Sequence, residues 1–401
     1  MLMENVRYSR ALEITSSYIK YAVGYVSNNV PHLLFYKKKP IHGIVSFGKI
    51  VQREKLVEAL SEFHNISDAS LDFKVEPNAV SLVLPSLGFK VFQCDKASSV
   101  VASDDTIAPV DVENVMALIY KQNVEQGNTI VDVVPDYYVA NRQAYKEPPL
   151  GVKGESLTVR AKVYTLPQDL LADFSQVVQD AGFRVLRSGV ASYCASQLIK
   201  LTPGYPESYV LFDMGSDLTT VSFVGDGEPY SSRFIKTGGA FLSEKISKEL
   251  GIPLEEANSI KERFGYDLAT HQFETPLYMG TNENGIKIKI YQKDVNRVIE
   301  GYFNEFHNYL DVALKQLNAS NGQDYGAYPI LLTGGGSRLK GIGNLLAPSF
   351  GNRKMFAYLP NVVGGRDASM TNVLGMIVAE GKNRKSNLIE NCRGVSSLRR
   401  E

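Results

Sequence analysis

Tryptophan is absent from the 401 residues, and cysteine and histidine are scarce, at three and five. Cys94, Cys194 and Cys392 are odd in number and lack the paired spacing of a zinc site. Neither a disulfide framework nor a structural metal therefore organises the fold, and reduced thiols in a cytosolic protein are the simplest reading. His32, His42, His64, His271 and His307 show no ligand spacing either. Net charge is missing as well: 43 Lys and Arg balance 43 Asp and Glu. Without a global field, nucleic acid is not an expected partner, and any anionic ligand must be met by a local patch. No run approaches the roughly 18 apolar residues of a membrane span. Met1 to Leu12 carries Glu4, Arg7 and Arg10 in place of a signal peptide's apolar core. The remainder is ordinary globular composition, long enough for two or more domains.

What is present is a buried strand joined to a polar bend. Val210 to Val224 reads as an apolar strand ending in Asp213, a turn through Gly215, Ser216, Asp217 and Leu218, and a β-rich strand opened by Thr219 and Thr220. Turns of this composition let backbone N–H groups and hydroxyls approach a phosphate. Alone, the stretch also describes an ordinary hairpin with Ser-Asp turn chemistry. Ala11 to Val26 repeats the layout, with Glu13 ending the strand and Thr15, Ser16 and Ser17 in the bend. Two such hairpins about 200 residues apart point to an internal duplication, with coincidence as the alternative. Further on, Gly238 and Gly239 open a helix, and Gly334, Gly335 and Gly336 follow a short buried strand.

Apolar periodicity predicts helices over Lys49–Phe63, Pro167–Asp180, Ala191–Ile199, Leu254–Phe264, Lys293–Leu317 and Asn372–Glu380, and one capped by Asp111. Strands are expected at Val80–Leu84, Phe89–Cys94, Thr129–Pro135, Tyr137–Ala140, Ser156–Thr165 and Ile286–Ile290. With the two bends facing across a cleft, their hydroxyls and N–H groups can clamp a polyphosphate and its magnesium. Glu13 and Asp213 would lie near the metal through water, and the glycine triplet would admit a planar base.

This order of motifs resembles the actin-like nucleotide-binding superfamily, which includes actin, heat-shock chaperones and sugar kinases. Within it, Asp132–Val139 followed by Pro148-Pro149-Leu150-Gly151-Val152-Lys153-Gly154 is similar to the FtsA cell-division family. In that family a strand ending in proline and aromatics precedes a Pro-x-Gly-x-x-Gly turn and a long strand, matched here by Leu157–Tyr164. Glu255–Gly265 is similar to the family's adenosine-side helix, which places Asn258 and Lys261 beside a nucleotide. Leu332–Gly341 is similar to its adenine turn. The resemblance covers roughly residues 8 to 380.

The resemblance implies an α/β, actin-like (ribonuclease H-like) fold of two lobes with duplicated mixed sheets. Residues 1–85 and 166–208 would form the first lobe's core, with an inserted subdomain at 86–165. Residues 209–240 and 325–381 would form the second lobe's core, with a small subdomain at 241–324. It further implies ATP with Mg2+ in the cleft. The protein would be a non-enzymatic one, peripheral on the inner face of the cytoplasmic membrane at the division site. It would bind the C-terminal tail of the tubulin-like protein FtsZ through 241–324, polymerise with itself, and recruit later division proteins.

The chain departs from the family where phosphate would bind. The first turn should read Asp-x-Gly-Thr-Ser-Lys, but Glu13-Ile14-Thr15-Ser16-Ser17-Tyr18 lacks the glycine and the lysine. The second should read Asp-x-Gly-Gly-Gly-Thr-Thr, but Ser216, Asp217 and Leu218 replace two glycines and a threonine. Asp217 sets a negative charge where phosphate oxygens would sit, a repulsion of about 4 kcal/mol at 4 Å near a protein surface. Asn258 stands where the family has a ribose-facing Glu. An intact fold with weakened, altered or lost nucleotide binding is expected, and no residue is an obvious water activator for hydrolysis.

Residues 382–401 combine Lys382, Arg384, Lys385, Arg393, Arg399 and Arg400 with Leu388, Ile389, Cys392, Val395 and Leu398 at helical spacing. The resemblance implies an amphipathic anchor on anionic lipid; a solvated basic tail is the alternative. Two other readings of the same fold remain. An ATP-dependent sugar or carboxylate kinase needs a general base beyond Glu13. The pilus-assembly homologue PilM binds a short peptide, and the basic tail argues against it.

Overall fold

The computed structural model describes residues 8–64, 79–269, 275–281, 285–322 and 324–383. Two mixed sheets share one plan. The first has the order Arg184–Val190, Ala79–Leu84, Ser9–Ile14, Tyr18–Ser27, Val30–Pro40. The second starts in the same way, with Met355–Ala357, Ile330–Thr333, Tyr209–Met214, Thr219–Gly225, Glu228–Ile235. In each, the first three strands are parallel and the rest is an antiparallel meander. The inner parallel strands Ala79–Leu84 and Ile330–Thr333 are buried at every position, as coverage of both faces requires.

The hairpins correspond in register. Ile14 pairs with Ile19, and Met214 with Thr219. The bends are closed alike: Thr15 N–H donates to Tyr18 O at 2.9 Å, and Gly215 N–H to Leu218 O at 2.8 Å. The duplication is thus one of topology as well as motif.

Between the lobes' strands lies an inserted unit. Lys90–Ser99, Ser156–Pro167, Asn128–Ala140 and Gln143–Tyr145 form an antiparallel sheet in that order, covered by the helix Pro109–Tyr120. Val112, Val115, Met116 and Ile119 pack on Leu157, Val159, Ala161 and Val163. Ser231 opposite Lys90 joins this sheet to the edge of the second lobe, which makes nine strands in all. Asn128–Ala140 is a single strand where two were expected. Asp136 bulges out of register opposite Arg160 and Ala161, so Pro135 interrupts nothing.

Three other expectations need correction. The helix expected to be capped by Asp111 begins at Pro109, which needs no N–H donor there; Asp111, in its first turn, reaches back to accept from Ala108 N–H and Val101 N–H at 2.8 Å each. The helix expected from Lys49 starts at Arg53, because Lys49–Ile50 pairs with Val45–Ser46 in a hairpin of its own. Residues 325–381 were expected with the second lobe, yet Thr371–Asn383 packs on the first. Val373, Leu374, Met376, Ile377 and Val378 lie in that lobe's core beside Ala191–Lys200. At Gly375 an added Cβ would stand 1.9 Å from Cys194 O, so glycine is what lets these two helices touch. Arg187 fastens the same corner, donating to Ala379 O at 2.7 Å and to the Asp132 carboxylate of the insertion. Cys94 and Cys194 are free and buried; Cys392, His271 and residues 384–401 lie outside the described residues.

Candidate interlobe site

The two hairpin bends meet. Ser16 Oγ donates to Asp217 Oδ1 at 2.7 Å, and Phe47 N–H donates to Asp217 Oδ2 at 2.5 Å. Phe47 occupies the tip of the Val45–Ile50 hairpin with φ 48°, followed by Gly48 at φ 70°. Both signs fit a type I′ turn, but a bulky residue in the left-handed region is strained. Its ring lies 5.9 Å from Phe241, and the Lys236 ammonium stands 5.8 Å from it. Lobe one therefore grips lobe two through a backbone N–H, a hydroxyl and a ring.

Beneath the bends lies a polar floor. Glu13 pairs with Lys20 in the antiparallel register, and Lys20 Nζ donates to Glu13 Oε2 at 2.8 Å and to Ser369 O at 2.6 Å. Asn372 Nδ2 spans the lobes, donating to Glu13 Oε1 at 3.0 Å and Asp213 Oδ2 at 2.8 Å. Asp213 keeps some accessible surface. Desolvation still pushes its carboxyl above the ordinary range, with Glu13 adding to the effect and Asn372 and Lys20 opposing it. Among the described residues, Asn372 Oδ1 and Ser369 Oγ are buried without a hydrogen-bond partner.

The remaining expected site residues are largely engaged by the protein itself. Thr15 Oγ1 bonds within its own bend, and Ser17 O accepts from Ile41 N–H at 2.8 Å. Gly215 O and Ser216 O accept from Gly239 N–H and Ala240 N–H. Thr219 Oγ1 donates to Thr237 O at 3.0 Å, and Thr220 lies opposite Asp213. A Cβ on Gly238 would stand 2.5 Å from Gly215 O, one on Gly334 2.4 Å from Asp213 Oδ1, and one on Gly336 2.9 Å from Met214 Cβ. These three glycines therefore serve contact with the second bend. Gly335 is different, since a Cβ there meets nothing closer than 3.8 Å. Lys261 turns inward: Nζ donates to Gly239 O, Ser243 Oγ and Asn258 Oδ1 at 2.8–2.9 Å. Burial lowers its pKa, with Glu262 opposing.

As arranged, these residues do not fit Mg-ATP. The donors suited to phosphate, Ser16 Oγ–H and Phe47 N–H, are taken by Asp217. The acid suited to a metal, Glu13, is taken by Lys20 and Asn372. No cluster of three His, Cys, Asp or Glu side chains suited to a metal occurs among the described residues. Sequence reasoning missed Lys20, Phe47 and Asn372. Lys20 carried a signal, since it lies two residues beyond the position where the family's lysine is absent, on the same face of its strand.

A separate cavity of about 760 Å3 opens in the second lobe. Phe241, Tyr302 and Tyr309 line it, together with Lys236, Lys245 and Lys248. Lys245 is engaged by Glu305 and Glu249, and Tyr309 is 57% exposed.

Comparison with known proteins is decisive for the family. Residues 210–375 match the model of "Cell division protein FtsA", and residues 90–165 match the "SHS2 domain inserted in FTSA". Together they take in more than half of the chain. The chain belongs to the FtsA family. The cell division protein FtsA of Enterococcus hirae is 25% identical over 341 residues, covering 83% of this chain and 74% of that protein. That of Bacillus subtilis (strain 168) is 23% identical over 381 residues, covering 94% and 84%. Among solved structures, the PilM–PilN type IV pilus biogenesis complex aligns with TM-score 0.59 at 16% identity, covering 93% of this chain and 98% of that one. MreB 5 of Spiroplasma citri bound to AMPPNP aligns with TM-score 0.56 at 13% identity, covering 96% and 99%. These likenesses establish an actin-like, two-lobed α/β fold carrying the FtsA-type insertion. No helix among the described residues is long and apolar enough to cross a membrane.

Proposed function

We propose that the chain is a division scaffold that tethers FtsZ to the inner face of the cytoplasmic membrane, assembles with itself, and recruits later division proteins. The inserted sheet supports this reading, because residues 90–165 match the SHS2 domain inserted in FtsA. The cleft supports a binding role over catalysis: Glu13, Asp213, Asp217 and Ser16 are already engaged within the protein, which leaves no free general base among these described residues. We assign self-association to 86–165 and the docking of FtsZ to 241–324. Within the latter, the cavity framed by Phe241, Tyr302 and Tyr309 has the size and aromatic lining that suit a short peptide. Tyr309 is the exposed anchor and Lys248 a rim charge. Bound nucleotide is at most weak in this assignment.

Titration of a labelled FtsZ C-terminal peptide, followed by anisotropy, tests the reading. Saturable binding is expected, weakened about 10-fold or more by Tyr309→Ala, since aromatic anchors dominate such interfaces. An absence of binding by the unaltered chain overturns it. Pelleting with anionic liposomes, lost on deletion of 382–401, tests the membrane arm.

A further inference from the structure

We propose that Asp217 is a built-in substitute for phosphate. It is a carboxylate on the second lobe that draws Ser16 and Phe47 of the first onto itself, so the cleft closes without a ligand. Three observations carry this. Both oxygens are used, one by a hydroxyl and one by a backbone N–H, the two donor types that a phosphate between these bends would take. Phe47 is held at φ 48°, a conformation that a bulky side chain keeps only when its surroundings demand it. Here the demand is visible, since the strained turn delivers its N–H to Asp217 and its ring to Phe241. The floor shows the same substitution one layer down, with the Lys20 ammonium against Glu13 and Asn372 joining Glu13 to Asp213. A polyphosphate would have to break these contacts and then face the Asp217 charge. Opening and closing are therefore uncoupled from nucleotide, and assembly of this protein follows its concentration and partners.

The inference rests on the scaffold reading only for what such a cleft would otherwise hold. Hydrogen exchange of the full-length chain, with and without Mg-ATP, tests it. Without nucleotide, the segment 45–50 is expected to be protected. Asp217→Ala should raise exchange there and in both bends about 10-fold or more, the worth of a lost charge-assisted hydrogen bond. The strand Ala79–Leu84 should remain unchanged. Asp217→Asn, of the same size, and Ser16→Ala should give smaller rises at the same places, which covers the case that the alanine variant does not fold. The proposal is overturned if segment 45–50 exchanges freely without nucleotide. It is also overturned if the variants match the unaltered chain, or if Mg-ATP slows exchange at these bends. The FtsZ-peptide titration, run on the same samples, fails independently. Loss of peptide binding with protected bends sinks the scaffold reading alone, and free bends with intact peptide binding sink the clasp alone.

Discussion

Lys20 lies between demands that no neutral residue could meet. It is buried and faces Glu13, while Asn372 joins that acid to Asp213. Removing one partner of a buried pair strands the other charge, so Lys20→Met should cost about 3–5 kcal/mol in chemical denaturation. Lys20→Met with Glu13→Gln should recover much of that loss. The folded chain holds the Asp213 carboxyl above the ordinary aspartate value of 3.8. Below that value both states are protonated and nothing is lost. As pH rises through the folded value, the native state must bear a desolvated charge, so this residue's contribution to stability falls. Asp213→Asn should therefore gain stability relative to the unaltered chain as pH goes from 4 to 7, measured by urea midpoints. Among the glycines, Gly334→Ala combines φ 83° with a clash at Asp213 and should destabilise strongly, whereas Gly335→Ala should leave the melting temperature nearly unchanged. The glycines and hydroxyls were legible in sequence because their chemistry is local. Asp217 was legible as a misplaced charge, but its partner Phe47 was not. That partnership depends on a short hairpin whose Ile50 also fits the helical period that runs on through Leu56 of the following helix.

At the scale of elements, periodicity located most helices and strands but not what they pack against. The terminal helix Thr371–Asn383 reads as apolar from its sequence; only the fold shows that it crosses to the first lobe. The edge strand Met355–Ala357 escaped notice because partial exposure dilutes its pattern. Arg187 illustrates a tie that no local pattern encodes: one guanidinium joins the strand Arg184–Val190, the terminal helix and the insertion. Both it and Asp132 are buried, and their mutual attraction offsets the desolvation that each suffers. Arg187→Ala should cost about 3–5 kcal/mol, and Arg187→Met with Asp132→Leu considerably less. Thermal unfolding of both variants checks this.

For the whole molecule, the lobes are joined at two ends of the same hairpin. Asp217 lies in its bend, and Glu228 follows the far end of Thr219–Gly225, a seven-residue strand spanning roughly 20 Å. Glu228 accepts from Tyr164 OH at 2.9 Å and from Gln197 Nε2 at 3.1 Å, and beside it Ser231 pairs with Lys90. The far tie thus consists of a carboxylate gathering donors plus a sheet that runs on into the insertion. Glu228→Ala leaves the fully buried Tyr164 hydroxyl without its acceptor, which should cost about 1–3 kcal/mol. Contacts this far apart share no side chain, so their losses should add: the double variant with Asp217→Ala should match the sum of the single changes to about 0.5 kcal/mol in denaturation. A larger deviation would mean that the hairpin between them is stiff enough to transmit strain from one end to the other. That outcome would shift the molecule from two independent fastenings to a single lever linking the cleft to the inserted sheet.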